Sequence, residues 1–227
     1  MVIGNGLIAS AFATYFSGDP NIILFASGVS NSKETRREVF LREQDLLFSA
    51  LTQKRFLVYF STCSINDPEL SETPYVVHKK EMEHLVREFK DCVIFRLPQV
   101  VGKTSNPNTL TNYLHKQISS GNDFKIWRHA KRNLIDVADV ASIVTHLIRT
   151  HTADGQTLNV ACSFSVSIYH LVSIFESISG KKANYEFVEA GDAYPIDASL
   201  AAVAASQLGI SFDESYIERL IRKYYGA

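Results

Sequence analysis

The sequence predicts an α/β protein whose parallel sheet is flanked by helices. Three observations carry that reading. Apolar runs of strand length alternate with longer segments of helical period. Val, Ile, Leu and Phe dominate the runs with little polar alternation, as in strands covered on both faces. The first run passes through a glycine turn straight into a helical segment, the start of a βαβ unit.

In chain order, strands are expected at Met1–Ile3, Ile22–Ala26, Phe56–Ser61, Cys92–Leu97, Leu134–Asp136 and Thr157–Val160. Helices are expected over Leu7–Phe16, over 34–53 (Val39, Phe40, Leu46, Leu47, Ala50 and Leu51 at helical spacing) and over 75–89 (Met82, Leu85, Val86 and Phe89 on one side). Further helices are expected at Asp139–Thr150, at Ile168–Ser179 with Gly180 as its stop signal, at Ser199–Leu208 and at Asp213–Tyr225. Residues 103–130 read as an excursion from the sheet: a polar loop, a helix, then an isolated strand Lys125-Ile126-Trp127. The expected organisation is a main domain over 1–165, with that excursion serving the substrate region, and a small C-terminal substrate-binding region over 166–227.

Composition narrows the function classes. The 227 residues hold 23 Lys plus Arg against 24 Asp plus Glu, a net charge of −1, so no electrostatic footprint for nucleic acid is present. A hydrophobic content of 46% supplies a proper core and excludes a disordered chain. No apolar run approaches the ~20 residues of a membrane helix, and no signal peptide is visible, so a cytoplasmic protein without a membrane partner is expected. Three scattered cysteines form no disulfide framework, and the histidines show no metal-ligand spacing, so no metal is expected.

Gly4-Asn5-Gly6-Leu7-Ile8-Ala9 reads G-x-G-x-x-A between a strand and a helix. Glycine lets the backbone approach a pyrophosphate, and the helix N-terminus offers free N–H groups and partial positive charge. A strand-to-helix turn also needs glycine for steric reasons, so the motif alone is weak. The acid that usually holds a cofactor ribose about twenty residues later is absent, because the second strand runs into Ala26-Ser27-Gly28-Val29-Ser30-Asn31-Ser32. Lys33, Arg36 and Arg37 read as ordinary surface charge.

Tyr75 and Lys79 stand four apart, on one face of a helix. A lysine charge beside a phenol favours the phenolate and makes a general acid/base. Phe60-Ser61-Thr62-Cys63-Ser64 offers hydroxyls at a strand end, where ligands bind in parallel α/β sheets.

The ordered set of glycine turn, strand ending in Ser-Thr and Tyr-x-x-x-Lys resembles the extended branch of the short-chain dehydrogenase/reductase superfamily, the NAD-dependent epimerase/dehydratase family of nucleotide-sugar enzymes. Three further segments carry the likeness. Arg96-Leu97-Pro98-Gln99-Val100-Val101-Gly102 looks like the family's R-x-x-N-V-x-G, with Gln99 in place of Asn. Arg132-Asn133-Leu134-Ile135-Asp136-Val137-Ala138-Asp139-Val140-Ala141 is similar to its R-D-x-x-x-V-x-D-V-A, and Gly155–Val160 to its G-x-x-x-N-V strand. The likeness runs from Gly4 to about Tyr225 and implies a Rossmann-like sheet.

Carried over, the resemblance implies that Tyr75 is the catalytic acid/base, that Thr62 is the catalytic hydroxyl (Ser61 and Cys63 being one-residue alternatives), and that Lys79 keeps Tyr75 acidic and binds the nicotinamide ribose. Gly4, Gly6, Leu7 and Ile8 would line the cofactor pyrophosphate, with Ala26, Ser27 and Gly28 beside them. Gln99 and Arg132 would meet the substrate, Arg132 at its diphosphate. The implied activity is that of a nucleotide-sugar oxidoreductase, a ketosugar reductase ahead of an epimerase, using NAD or NADP. A dehydratase would need another acid near the hydroxyl, and the nearest is Asp67. A homodimer through the helices 34–53 and 75–89 is also implied.

The likeness fails at one place. Phe25-Ala26-Ser27-Gly28 looks like the end of the family's fourth strand, so a β-α-β piece that includes the adenosine-binding acid is missing. That departure keeps open a degenerate member binding a nucleotide sugar or a protein partner without redox chemistry. Other signals are set aside: Gly102-Lys103-Thr104 lacks the earlier glycine of a P-loop, Cys63 has no base partner, Trp127 among Lys125, Arg128, Lys131 and Arg132 reads as a pocket rim or surface, and His78 and His84 fall on different helix faces.

Overall fold

A computed structural model describes residues 1–226; Ala227, the last residue of the expected C-terminal region, lies outside the described residues. The first half is a run of β/α units: β1 (Val2–Ile3), α1 (Leu7–Phe16), β2 (Ile22–Phe25), α2 (Arg37–Leu51), β3 (Phe56–Thr62), α3 (Pro74–Arg87) and β4 (Cys92–Leu97). There follow β5 (Gln99–Val101), α4 (Leu110–Ser120), β6 (Asp123–Trp127), β7 (Lys131–Arg132), β8 (Leu134–Asp136), α5 (Val137–Arg149) and β9 (Thr157–Asn159). The last elements are β10 (Val166–Ser167), α6 (Ile168–Ser179), β11 (Asn184–Val188), α7 (Ser199–Gln207) and α8 (Tyr216–Tyr225).

Five strands form the central sheet in the order β1-β2-β3-β4-β9, all parallel. Leu24 pairs with Val58, Tyr59 with Ile94 and Arg96 with Asn159. Alternate residues serve opposite faces. Leu24, Val58, Phe60, Val93 and Phe95 pack against Phe12 and Phe16 of α1, against α5 and against Ala201, Ala204 and Ala205 of α7. Ile23, Phe25, Leu57, Tyr59 and Ile94 pack against Leu47 and Leu51 of α2 and Met82 and Val86 of α3.

This arrangement has an unusual topology. From β1 to β4 the strands step across the sheet in one direction, yet α1 lies on one face and α2 and α3 on the other. The β1–α1–β2 and β2–α2–β3 crossovers are therefore of opposite hand, and one departs from the right-handed rule that ~98% of such connections obey. Loops leaving β1 and β2 diverge to opposite faces, which opens a crevice at the C-terminal ends of those strands.

A second core joins Leu114 and Ile118 of α4, Phe124 and Ile126 of β6, Leu171 and Phe175 of α6, and Ile217, Leu220 and Ile221 of α8. Its link to the sheet runs through the start of α5. Asp136 caps that helix by accepting from the Ala138 amide at 2.8 Å, and it also accepts from Lys223 Nζ and the Tyr224 hydroxyl, each at 2.7 Å. Tyr216 donates to Asp139 at 2.6 Å. The two acids of the Asp136-Val-Ala-Asp139 segment thus dock α8 onto α5.

Two strand expectations need correction. Leu134–Asp136 is not in the central sheet: β8 pairs only with β5, a strand the sequence reading did not expect, as Gln99 follows directly on Pro98. Lys125–Trp127 is not isolated, since β6 pairs in parallel with β11 from Asp123↔Asn184 to Trp127↔Val188. The partner strand Asn184-Tyr-Glu-Phe-Val188 faces solvent over much of its length, so it lacks the apolar run that marks a covered strand.

Candidate active site

Each side chain of the site is placed by a local device. Gly6 caps α1 in extended backbone with no side-chain hydrogen bond, which leaves the first amides of the helix directed at the crevice. Gly4 has φ +128°, and a Cβ there would stand 2.5 Å from the Ala26 carbonyl oxygen, so glycine is needed for β1 to turn against the end of β2. Thr73 caps α3, accepting from the Val76 amide at 3.4 Å, and Pro74 occupies its first turn. That start puts Tyr75, Lys79 and Glu83 on one buried stripe facing the ends of β3 and β4.

The crevice is a cleft of about 580 Å³. Gly6, Leu7 and Ile8 line it from α1, Ala26, Ser27 and Gly28 from the loop after β2, Ser61 and Thr62 from β3, Tyr75 and Lys79 from α3, and Gln99 from β5. Most expected site residues therefore meet in one place. Gly4 and Arg132 are not among the lining residues. Gly4 packs under the turn, and Arg132 donates to the Lys131 carbonyl at 2.8 Å while its charge acts on Tyr194, whose phenol lies near Ser64 of the cleft. Asp67 does not line the cleft; it is buried and accepts from the Glu69 amide at 3.0 Å. Cys63 is also buried, with its thiol pushed up to about 12 by desolvation.

The main surprise lies behind Lys79. Glu43, fully buried on α2, accepts from Lys79 Nζ at 2.8 Å, from the Tyr59 hydroxyl at 2.7 Å and from the Val29 amide at 2.7 Å, and sits 3.1 Å from His78 Nε2. Gly28 leaves room for this cluster, since a Cβ there would stand 2.6 Å from Lys79 Nζ. Burial alone would raise the Glu43 carboxyl, but the Lys79 charge and the hydrogen bonds hold it well below the usual carboxylate range. Farther along the stripe, Glu83 accepts from Arg96 at 2.8 and 2.7 Å.

Burial of the phenol corrects one expectation. Lys79 does not make Tyr75 more acidic than an ordinary phenol. Burial raises Tyr75, the Lys79 charge and the nearby Thr62 hydroxyl pull it down, and the Glu43 carboxylate opposes Lys79, leaving a net upward shift. The phenol stays protonated at neutral pH and is suited to giving a proton to an oxygen in the cleft.

Sequence reasoning missed Glu43, Tyr59, His78 and Arg42. For Glu43 a signal existed: it stands four, seven and eight residues before Leu47, Ala50 and Leu51, on the apolar face of α2. Arg42 bridges to the Ser27 carbonyl at 3.0 Å on the lip of the cleft.

The donor set fits an anionic ligand. No Asp, Glu or His lines the cleft, whereas Arg42, Lys79, a helix N-terminus and several hydroxyls do. Among the described residues no cluster of His, Cys, Asp or Glu is placed to hold a metal, and no helix is long and apolar enough to cross a membrane.

Comparison with known proteins agrees with this geometry. No curated protein matches the chain in sequence. The fold is similar to UDP-glucuronic acid 4-epimerase from Bacillus cereus in complex with UDP-glucuronic acid and NAD (18% identity, TM-score 0.72, covering 97% of this chain and 79% of that one). It is also similar to dTDP-glucose 4,6-dehydratase from Bacillus anthracis in complex with NAD (14%, TM-score 0.70, 97% and 77%) and to RMD from Pseudomonas aeruginosa complexed with NADPH (16%, TM-score 0.68, 97% and 86%). Residues 47–161, just over half of the chain, match the model of one family. The chain belongs to the NAD dependent epimerase/dehydratase family.

Proposed function

We propose that this protein is a nucleotide-sugar oxidoreductase that uses NAD or NADP and acts as a ketosugar reductase. The observation that carries the reading is the meeting of Thr62, Tyr75 and Lys79 with the α1 N-terminus in one cleft free of carboxylates. The neighbours' complexes with NAD, NADPH and UDP-glucuronic acid support it.

The residues present fit the nicotinamide end of such a cofactor: Gly6, Leu7 and Ile8 would hold its phosphates, and Lys79 would border its ribose. Bound there, the nicotinamide supplies hydride chemistry. Tyr75, kept protonated by burial, gives its proton to the sugar oxygen, and Thr62 holds that oxygen in place. Lys79 carries the positive charge that steadies Tyr75 as the proton leaves, and Glu43 keeps Lys79 in position. A reductase must exchange its cofactor every turnover, whereas an epimerase regenerates it in place. The second core, with Arg132 paired to its Val166, would hold the nucleotide sugar. Leu41 and Phe48 of α2 and Val77 of α3, each more than a third exposed, suit the homodimer face; sedimentation equilibrium checks it, and a monomer alone would count against it.

The test is NADH and NADPH oxidation in the presence of a panel of nucleotide-linked ketosugars. Turnover is expected, and Tyr75→Phe should lower kcat by roughly 10²–10⁴-fold with the fold intact. If neither cofactor binds at millimolar concentration, the redox reading fails and the degenerate, binding-only reading replaces it.

A further inference from the structure

We infer that the cleft reads only the mononucleotide half of its cofactor, the nicotinamide ribose and its phosphate, and leaves the adenosine half in solvent. The inference rests on the function proposed above and concerns how much of the cofactor this chain can hold.

A dinucleotide-binding sheet is built from two halves, each serving one mononucleotide, arranged on either side of the point where successive helices take opposite faces. In this chain that point lies between β1 and β2, as α1 and α2 occupy opposite faces. One side carries β2, β3, β4 and β9, with Thr62, Tyr75, Lys79 and Gln99 at their ends. The other side carries no strand among the described residues, so β1 is the sheet edge.

The cause is internal to the chain. Only residues 17–21 separate α1 from β2, and β2 bonds straight back to β1, with the Leu24 amide donating to Met1 O at 2.9 Å and the Ala26 amide to Ile3 O at 2.8 Å. Five residues span too little to carry a strand to the outer edge of β1 and return. A carboxylate for the adenosine ribose is absent as well. The first acid after β2 is Glu34, which is buried and held by Arg36 Nε at 2.9 Å and by the Thr35 amide at 3.1 Å. What survives beside β1 is the α1 N-terminus and the Ser27–Arg42 lip, the parts that meet phosphate.

Two consequences follow for binding. The adenosine half adds little affinity, and a 2′-phosphate on its ribose goes unread. Isothermal titration of the full chain with NADH, NADPH and reduced nicotinamide mononucleotide tests both. The mononucleotide is expected to bind within tenfold of NADH, and NADPH within threefold of NADH. A mononucleotide deficit beyond tenfold, or discrimination between NADH and NADPH beyond threefold in either direction, overturns the inference while leaving the redox reading in place. Binding by none of the three overturns both.

Discussion

Glu43 is the residue whose removal should cost this fold most for its size. Its carboxylate joins four elements: α2 that carries it, the loop after β2 through Val29, β3 through Tyr59, and α3 through His78 and Lys79. Glu43 is fully buried and Lys79 is 3% exposed, so the pair is largely withdrawn from water. Removing one member of such a pair costs ~3–5 kcal/mol because its partner stays buried and uncompensated. For a chain of this length each kcal/mol moves Tm by ~2–4 °C, so Glu43→Leu should lower Tm by roughly 6–20 °C. Pairing it with Lys79→Met removes the orphaned charge, and the double variant should recover at least half of that loss.

Acidity supplies a second readout. The carboxyl is held below its unfolded value, so its contribution is complete above the unfolded pKa near ~4.3 and is lost as pH falls below it. The gap between wild type and Glu43→Leu should be widest above about pH 5 and narrow on acidification. Urea denaturation followed by circular dichroism measures both. A loss under ~1 kcal/mol at pH 7, or a double variant no better than the single, would show that the cluster contributes nothing as a charge pair.

Two further outcomes are expected. Gly4→Ala puts a methyl group against the Ala26 carbonyl in a backbone region disfavoured for side chains, and should destabilise the fold by ~1–3 kcal/mol in urea titration; an unchanged midpoint would refute the tight β1–β2 turn. All three cysteines are buried, and desolvation pushes Cys63 up to about 12 and Cys162 up to about 11. The native protein should therefore resist a thiol-specific disulfide reagent at pH 8 and release three equivalents once denatured; prompt native labelling would contradict the packing.

Local rules made much of the molecule legible. The apolar runs at 22–25, 56–62 and 92–97 are strands because β-rich segments of that length bury both faces. The same logic pointed to the hydroxyls at the end of β3 and to the Tyr75–Lys79 helix face, which converge in a parallel sheet, while the choice of Thr62 among those hydroxyls came from the family resemblance. Spacing within one element therefore reported on the cleft.

Tertiary structure alone decided what depends on residues distant in the chain. The protonation of Tyr75 is set chiefly by its burial in the folded chain, with a smaller contribution from a carboxylate thirty-two positions away on another helix, and together they outweigh the lysine that spacing alone credits with making it acidic. β8 looks like any core strand in sequence, yet it pairs with β5 because Pro98 breaks the run and turns Gln99–Val101 out of the sheet. The hand of the β1–β2 crossover follows from which face α1 covers, a choice made by Phe12 and Phe16 packing on Phe60 and the α5 helix. Periodicity records which side of an element is apolar, whereas the partner that covers it is chosen only when the whole chain packs.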